Sequence, residues 1–415
     1  MVGPRFLGVP AAAAREILAH WSQERRTLRQ GFTALAISTT VGMAAGVVLG
    51  AMEELLERLP GLLILVPAAI GMRGATFGAL GARLSTGMLT GQVTTTWDRE
   101  SFTFQNVEAA VVLTVVSSSV AALFARAVAA AVDIPTIGLW ELQVVSVIGG
   151  MLASVAVLGV VLALSRAAQR RNWDMDAIGS PVITATADLA TLPALVIASL
   201  LLSKAAVNAV VGGLSFALAW AAGYLGLRRS PSLARRVVAE SLPVLGYAAL
   251  VDILAGTVLE TRIESLATNP ALLVLIPPFI ASCGALGGIL SARLGSQLHL
   301  GLLLARPVPG RAAGLEGSLT LLFAVGAFLF VGVLTDVASL PAGFASPGVA
   351  TLAGIALTAG LLATGLLFLV AYYAAVASYR FGLDPDNYGI PIVTATMDFL
   401  GVLCLVAAIT LFGVT

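Results

Sequence analysis

The stretch Asp174-Met-Asp176-Ala-Ile-Gly-Ser-Pro181-Val-Ile-Thr184-Ala-Thr-Ala-Asp188 returns as Asp384-Pro-Asp386-Asn-Tyr-Gly-Ile-Pro391-Ile-Val-Thr394-Ala-Thr-Met-Asp398, with eight of fifteen positions identical and no gap. The offset, from 174 to 384, is 210 residues. A second pair of segments keeps it: residues 71–84 and 281–294 share seven of fourteen positions, among them Gly74/Gly284, Gly78/Gly288 and Arg83/Arg293. Pro60/Pro270, Pro67/Pro277, Gly91/Gly301 and Arg170/Arg380 lie at the same spacing. Biased composition inflates matches of Ala, Gly and Leu, but not of Asp, Pro and Arg at one shared offset. The chain is an internal duplication.

What was duplicated is apolar. Of 415 residues, 58% are hydrophobic and only 11% charged, with a mean hydropathy of +0.98. A soluble domain dresses its wet surface with about 25% charged residues. A soluble enzyme and a disordered regulator are therefore excluded. The net charge of +1 and the absence of a basic stripe exclude a nucleic-acid binder. Cys283 and Cys404 lie in apolar runs, with no disulfide framework or zinc spacing. The class is an all-α polytopic membrane protein.

A bilayer core about 30 Å thick calls for spanning helices of about 20 apolar residues. Eleven runs qualify: 33–53, 60–82, 107–129, 138–164, 179–202, 205–226, 242–260, 270–292, 317–339, 348–374 and 388–412. With the N-terminus inside, the inner segments hold 18 Arg and the outer ones four Lys or Arg, Arg73 falling within a span. The positive-inside bias thus predicts a cytoplasmic N-terminus and an extracytoplasmic C-terminus, in the plasma membrane. No cleavable signal peptide is expected, because the first apolar run begins only after about 30 residues. Residues 1–30 form a cytoplasmic segment in which Ala11–Gln30 reads either as an interfacial helix or as a polar tail.

Each copy holds five spans, an odd number, so direct fusion would invert the second copy. The sixth span has no counterpart and reverses the direction again. The expectation is two parallel repeats, 31–203 and 230–415, joined by a linking helix within 204–229 and related by a pseudo-twofold axis along the membrane normal. Such a chain works as a single-chain pseudo-dimer, with a pathway at the axis.

Charges inside spans are costly and mark function. Pro181 and Pro391 suit the first turn of a helix. Seven further residues at about 1.5 Å each place Asp188 and Asp398 roughly 10 Å deeper, near midplane. Thr184 and Thr394 lie four residues earlier on the same face. Two carboxylates with hydroxyls and no His or Cys are hard ligands, suited to Mg²⁺ held through its waters. The structural alternative is a buried Asp bonded to a neighbouring helix. Asp174, Asp176, Asp384 and Asp386 precede these helices, as an acidic vestibule or as acids favoured by a helix N-terminus. Gly74 and Gly284 open small-xxx-small patterns suited to a helix that is broken or closely packed beside a pore. Arg73 has Cys283 as its counterpart at the same offset, and Asp188, Asp398 or an interface are its candidate partners. Asp252, opposite Gly42 in the repeat, reads either as a mark of H⁺ or Na⁺ coupling or as a backbone anchor.

At these residues the chain resembles the MgtE-type magnesium transporters, in particular the solute carrier 41 branch, which carries the MgtE membrane domain twice. The likeness rests on Arg83-Leu84-Ser85-Thr86, on Arg293-Leu294 followed by Leu298-His299-Leu300-Gly301, and on Asp384-Pro-Asp386-Asn387 with Pro391, Thr394 and Asp398. It implies that Asp188 and Asp398 are the ion-site aspartates and that the substrate is a divalent cation, Mg²⁺ above all. Both copies read Gly-Ala at 74–75 and 284–285 where the family usually has Gly-Asn, which removes two amide oxygens. A basic residue at Arg73 is similar to one that the first copy of this branch often carries. The large sensor domains of MgtE channels are not expected within the sequence. No nucleophile–base pair or His/Glu metal motif appears, so no enzyme and no resident cofactor is expected. The partners are the bilayer and the transported ion. The competing readings are a proton-coupled carrier of an organic solute and a non-transporting scaffold subunit.

Overall fold

The computed structural model describes residues 8–93, 98–171, 175–381 and 389–414; the side chains of 171–181 and of Thr184 also lie outside that description. The described residues are helical, with no strand. In chain order the helices are α1 (Gly8–Gln23), α2 (Arg25–Gly50), α3 (Glu53–Arg58), α4 (Leu62–Leu89), α5 (Phe102–Ala131), α6 (Leu139–Gln143), α7 (Gly149–Arg171), α8 (Met175–Ser199), α9 (Ala205–Arg228), α10 (Ser232–Glu260), α11 (Ile263–Thr268), α12 (Pro270–His299), α13 (Arg311–Ala342), α14 (Val349–Phe381) and α15 (Ile390–Leu411). A π turn, Val144–Ile148, joins α6 to α7 into one rod. Ten spans in the described residues are long and apolar enough to cross a bilayer. In α8 the corresponding apolar stretch is Ala185–Ser199.

The helices begin and end where local chemistry dictates. Ser101 starts α5 by accepting a hydrogen bond from the Phe104 N–H at 3.2 Å, and Glu141 folds back to accept the Gly138 N–H at 2.7 Å. Each satisfies an amide that the first turn leaves without an intrahelical partner. Between α3 and α4 the chain turns through Gly61 at φ 82°, a left-handed conformation open to glycine. Its N–H donates to buried Glu260 at 2.7 Å.

Element boundaries repeat with the 210-residue offset. α3 at 53–58 maps onto α11 at 263–268, and the rod 139–171 maps onto α14 at 349–381. The first long helix of each half packs on the other half: α2 lies along α12 and α13, and α10 lies along α4 and α5. Glycine makes these crossings close. A Cβ on Gly46 would strike the Val274 carbonyl and one on Gly256 the Ile64 carbonyl, two contacts that the offset interconverts.

Two expectations need correction. The Gly-rich spans are not broken: α4 and α12 run without interruption past Pro67 and past Pro277 and Pro278. The prolines donate no N–H, so the carbonyls of Leu63, Leu273 and Val274 lack their usual helical partner, but the segments that hold them are buried and the helices continue. Pro181 is not in a first turn, since α8 begins six residues earlier at Met175, whereas Pro391 is in the first turn of α15. The N-terminal segment is helical over Gly8–Gln23 and docks on α13, where the Trp21 Nε1–H donates to Ser318 at 3.3 Å and Arg311 pairs with Glu16.

Candidate functional site

α8 and α15 bring Asp188 and Asp398 into the interior. α8 packs on α4 and α7, and α15 on α12, α14 and α10. Asp188 is 8% exposed, while Asp398 is only partly covered. The two carboxylates lie within electrostatic reach of each other. Thr394 stands one turn before Asp398, but its hydroxyl donates to the Pro391 carbonyl at 3.1 Å, leaving its oxygen as the free acceptor.

α4 and α12 each keep one accessible face. Along α4 Gly71, Gly74, Ala75, Gly78, Ala79, Ala82, Arg83 and Thr86 are accessible, and they recur at three- and four-residue intervals on one face. Along α12 Ala281, Gly284, Ala285, Gly288, Ile289, Ala292, Arg293 and Ser296 are accessible, the same positions shifted by 210. A Cβ on Gly78 or on Gly288 would meet nothing within 4 Å, so these glycines border open space and not a helix contact. Gly284 looks at Asp398, whose Oδ1 would be 3.8 Å from a Cβ there. The preceding segments, 62–69 and 271–279, are wholly buried. Each accessible face therefore ends beside Asp398, near Gly71 and Gly284, and extends from there toward the C-terminal end of its helix.

Where the faces end, the halves differ. Asp252 of α10, 1% exposed, sets its carboxyl beside that of Asp398 and against Gly71. The offset comparison missed it, because position 42 is Gly. Its only sequence signal is an acid inside an apolar span. Among the described residues no three His, Cys, Asp or Glu side chains gather closely enough to hold a metal ion directly.

Arg73 pairs with neither Asp188 nor Asp398. It is 3% exposed, donates to the Ala69 carbonyl and places its other Nη beside Ser118 Oγ and Gly150. Two residues separate it from Gly71, and two residues turn a helix by about 200°, so Arg73 faces α5 and α7 while Gly71 faces Asp252. Serines make its surroundings polar: Ser146 donates to the Ser118 carbonyl at 2.6 Å and Gln143 to the Ser119 carbonyl at 3.1 Å. The corresponding positions in the second half are Cys283, Phe328, Leu329, Ala353 and Ala356, so the polar nest belongs to the first half.

The two repeated arginines hold the helices that bear these faces. Arg83 donates to Asn106 at 2.7 Å. Arg293 grips Glu316, the offset partner of Asn106, at 2.5 and 3.0 Å and reaches Glu24 at 3.4 Å. The vestibule acids Asp174, Asp384 and Asp386 and the side chains of Asp176 and Thr184 lie outside the described residues.

Long apolar helices enclosing acidic groups define this protein as a polytopic membrane protein with a polar interior. Two segments, 66–198 and 276–408, match the MgtE divalent cation transporter family, and together they make up more than half of the chain. Their bounds differ by the same 210 residues. The chain therefore belongs to the MgtE family of divalent cation transporters, which are not enzymes. It is also similar to Solute carrier family 41 member 2 of Xenopus laevis, 24% identical over 395 residues that cover 86% of this chain and 67% of the relative. No solved structure matches the chain.

Proposed function

We propose that this protein carries Mg²⁺ across the plasma membrane along the open faces of α4 and α12 to a site between its halves built on Asp188 and Asp398. The observation that carries this reading is the pair of accessible faces, mostly of small residues, matched position for position and ending beside Asp398. With Ala75 and Ala285 in place of amide side chains, the path offers no side-chain ligand at that level. This suits an ion that keeps its waters, as Mg²⁺ does. Asp174, Asp176, Asp384 and Asp386 would gather cations at the cytoplasmic mouth, while Gly74 and Gly284 leave the path wide.

The halves, 31–203 and 230–415, are parallel copies around a pseudo-twofold axis along the membrane normal, with 204–229 as the linking span. The exchanged first helices and the offset-related crossings at Gly46 and Gly256 support this. The N-terminus is cytoplasmic and the C-terminus extracytoplasmic, as the arginine distribution indicates. The membrane field contributes about 2.3 kcal/mol per charge per 100 mV, enough to draw a divalent ion inward through such a path.

The test is Mg²⁺ flux into liposomes. Asp188→Asn combined with Asp398→Asn should abolish it, and survival of flux in that double variant would refute the central site. Substrate-dependent proton flux indifferent to Mg²⁺ would indicate the organic-solute carrier. No flux at all, with both substitutions tolerated, would indicate the scaffold.

A further inference from the structure

Asp252 and Gly42 occupy corresponding positions at two helix crossings that are built differently. Where α2 meets α12, Gly42 lets the helix rest on the Pro278 backbone; a Cβ there would lie 2.9 Å from Pro278 Cα. Where α10 meets α4, a carboxylate takes up the space instead. Gly71 leaves room for it: a Cβ on Gly71 would lie 2.6 Å from Asp252 Oδ2 and 3.8 Å from Asp398 Oδ2. Asp252 is 1% exposed and its carboxyl shares a hydrogen bond with that of Asp398, yet its Oδ1 has no hydrogen-bond partner. Its neighbour Asp398 is acidic too, and Arg73 is turned to the other side of α4. The Tyr247 and Thr396 hydroxyls, 2.8 Å apart and shortly before the two aspartates, fix α10 against α15 in the register that makes the carboxyls meet.

Stability alone does not explain this arrangement. Burying an acid with an unsatisfied oxygen against a second acid costs free energy that an apolar pair would not. A polar group buried at such a cost, aimed at an accessible carboxylate on a cation path, is a ligand group awaiting charge. We propose that Asp252 is a third ion-holding carboxylate, supplied by α10 to the Asp398 side alone, so that the hydrated divalent cation rests against Asp398 and Asp252 and not midway between the halves. This rests on the reading of Asp188 and Asp398 as the central site and adds to it an asymmetry that the duplication does not contain. Contact through waters accords with the absence, among the described residues, of three such groups close enough to clasp a bare ion.

Metal-dependent thermal stabilisation of the full chain, titrated with Mg²⁺, tests it. Asp252→Asn should weaken apparent Mg²⁺ affinity about tenfold or more, in the range of a lost outer-sphere partner. It should not lower the metal-free Tm, because the amide can donate to Asp398 in place of the carboxyl it replaces. Gly71→Ala removes no charge but puts a methyl where the Asp252 carboxyl lies, and should weaken Mg²⁺ binding in the same way. Wild-type affinity in both variants, with binding lost in Asp188→Asn/Asp398→Asn, would overturn the role of Asp252 and leave the central site standing. A lower metal-free Tm with unchanged affinity in Asp252→Asn would likewise reduce it to a structural residue. If no divalent cation stabilises or crosses with the wild-type chain, the central site itself is refuted.

Discussion

At the scale of single residues, the decisive differences are between groups of the same kind placed differently. Asp188 and Asp398 were legible in the sequence because duplication repeats them, and a repeated acid in an apolar run stands out. Asp252 carried half of that signal, an acid in an apolar run, but no repeat. Its place beside Asp398 depends on how α10 crosses α4 and α15, contacts between residues more than a hundred positions apart. Arg73 shows the reverse case: charge alone suggested the aspartates as partners, whereas helix phase turns it toward the serines of α5. Outside the spans, Glu24 is held below its ordinary value of 4.5, first by a hydrogen bond to Thr27, which together with the Arg293 guanidinium outweighs the opposing effect of burial. A depressed carboxyl contributes stability above its unfolded value and loses it as pH falls through the folded one. Acidification below about pH 4.5 should therefore loosen the α1–α2 junction. Glu24→Gln should remove that acid-sensitive part of Tm, an effect of about 0.2–1 kcal/mol for so exposed a pair.

At the scale of helices, close approach governs. Gly46 and Gly256 place the backbones of α2 and α10 against carbonyls of the opposite half, where no side chain fits. Gly46→Leu and Gly256→Leu should each lower Tm by an amount equivalent to about 1–3 kcal/mol of overpacking or more. Because the two contacts correspond, the two losses should be similar, and thermal unfolding in detergent measures both. The sequence announced small residues here without saying which ones touch. Gly78 and Gly288 belong to the same kind of pattern and border open space. Spacing identifies a smooth helix face, but whether a neighbour or a void lies beyond it depends on the position of every other helix. The same reason explains why α4 and α12 stay whole. Glycine and proline weaken a helix in isolation, yet burial of 62–69 and 271–279 keeps the proline-bearing segments within continuous helices.

At the scale of the whole molecule, the odd number of spans per copy and the reversing linker predict that residues near 204 and near 229 face opposite sides of the membrane. Single cysteines at Lys204 and Arg229, both exposed, should react with an impermeant thiol reagent from outside and from inside respectively. Labelling of both from one side would refute the orientation. The native Cys283 and Cys404 are buried and free, so their background should be low. The low charge content, the apolar run lengths and the 210-residue offset settled the helical class, the duplication and the paired aspartates from sequence, because hydropathy and repetition are local properties that a chain displays before it folds. Only the tertiary structure decided that the first helix of each half packs on the other, that α4 and α12 keep matching accessible faces, and that Asp252 lies beside Asp398. Those are facts about helix crossings, set by contacts between distant residues, and no segment contains them by itself.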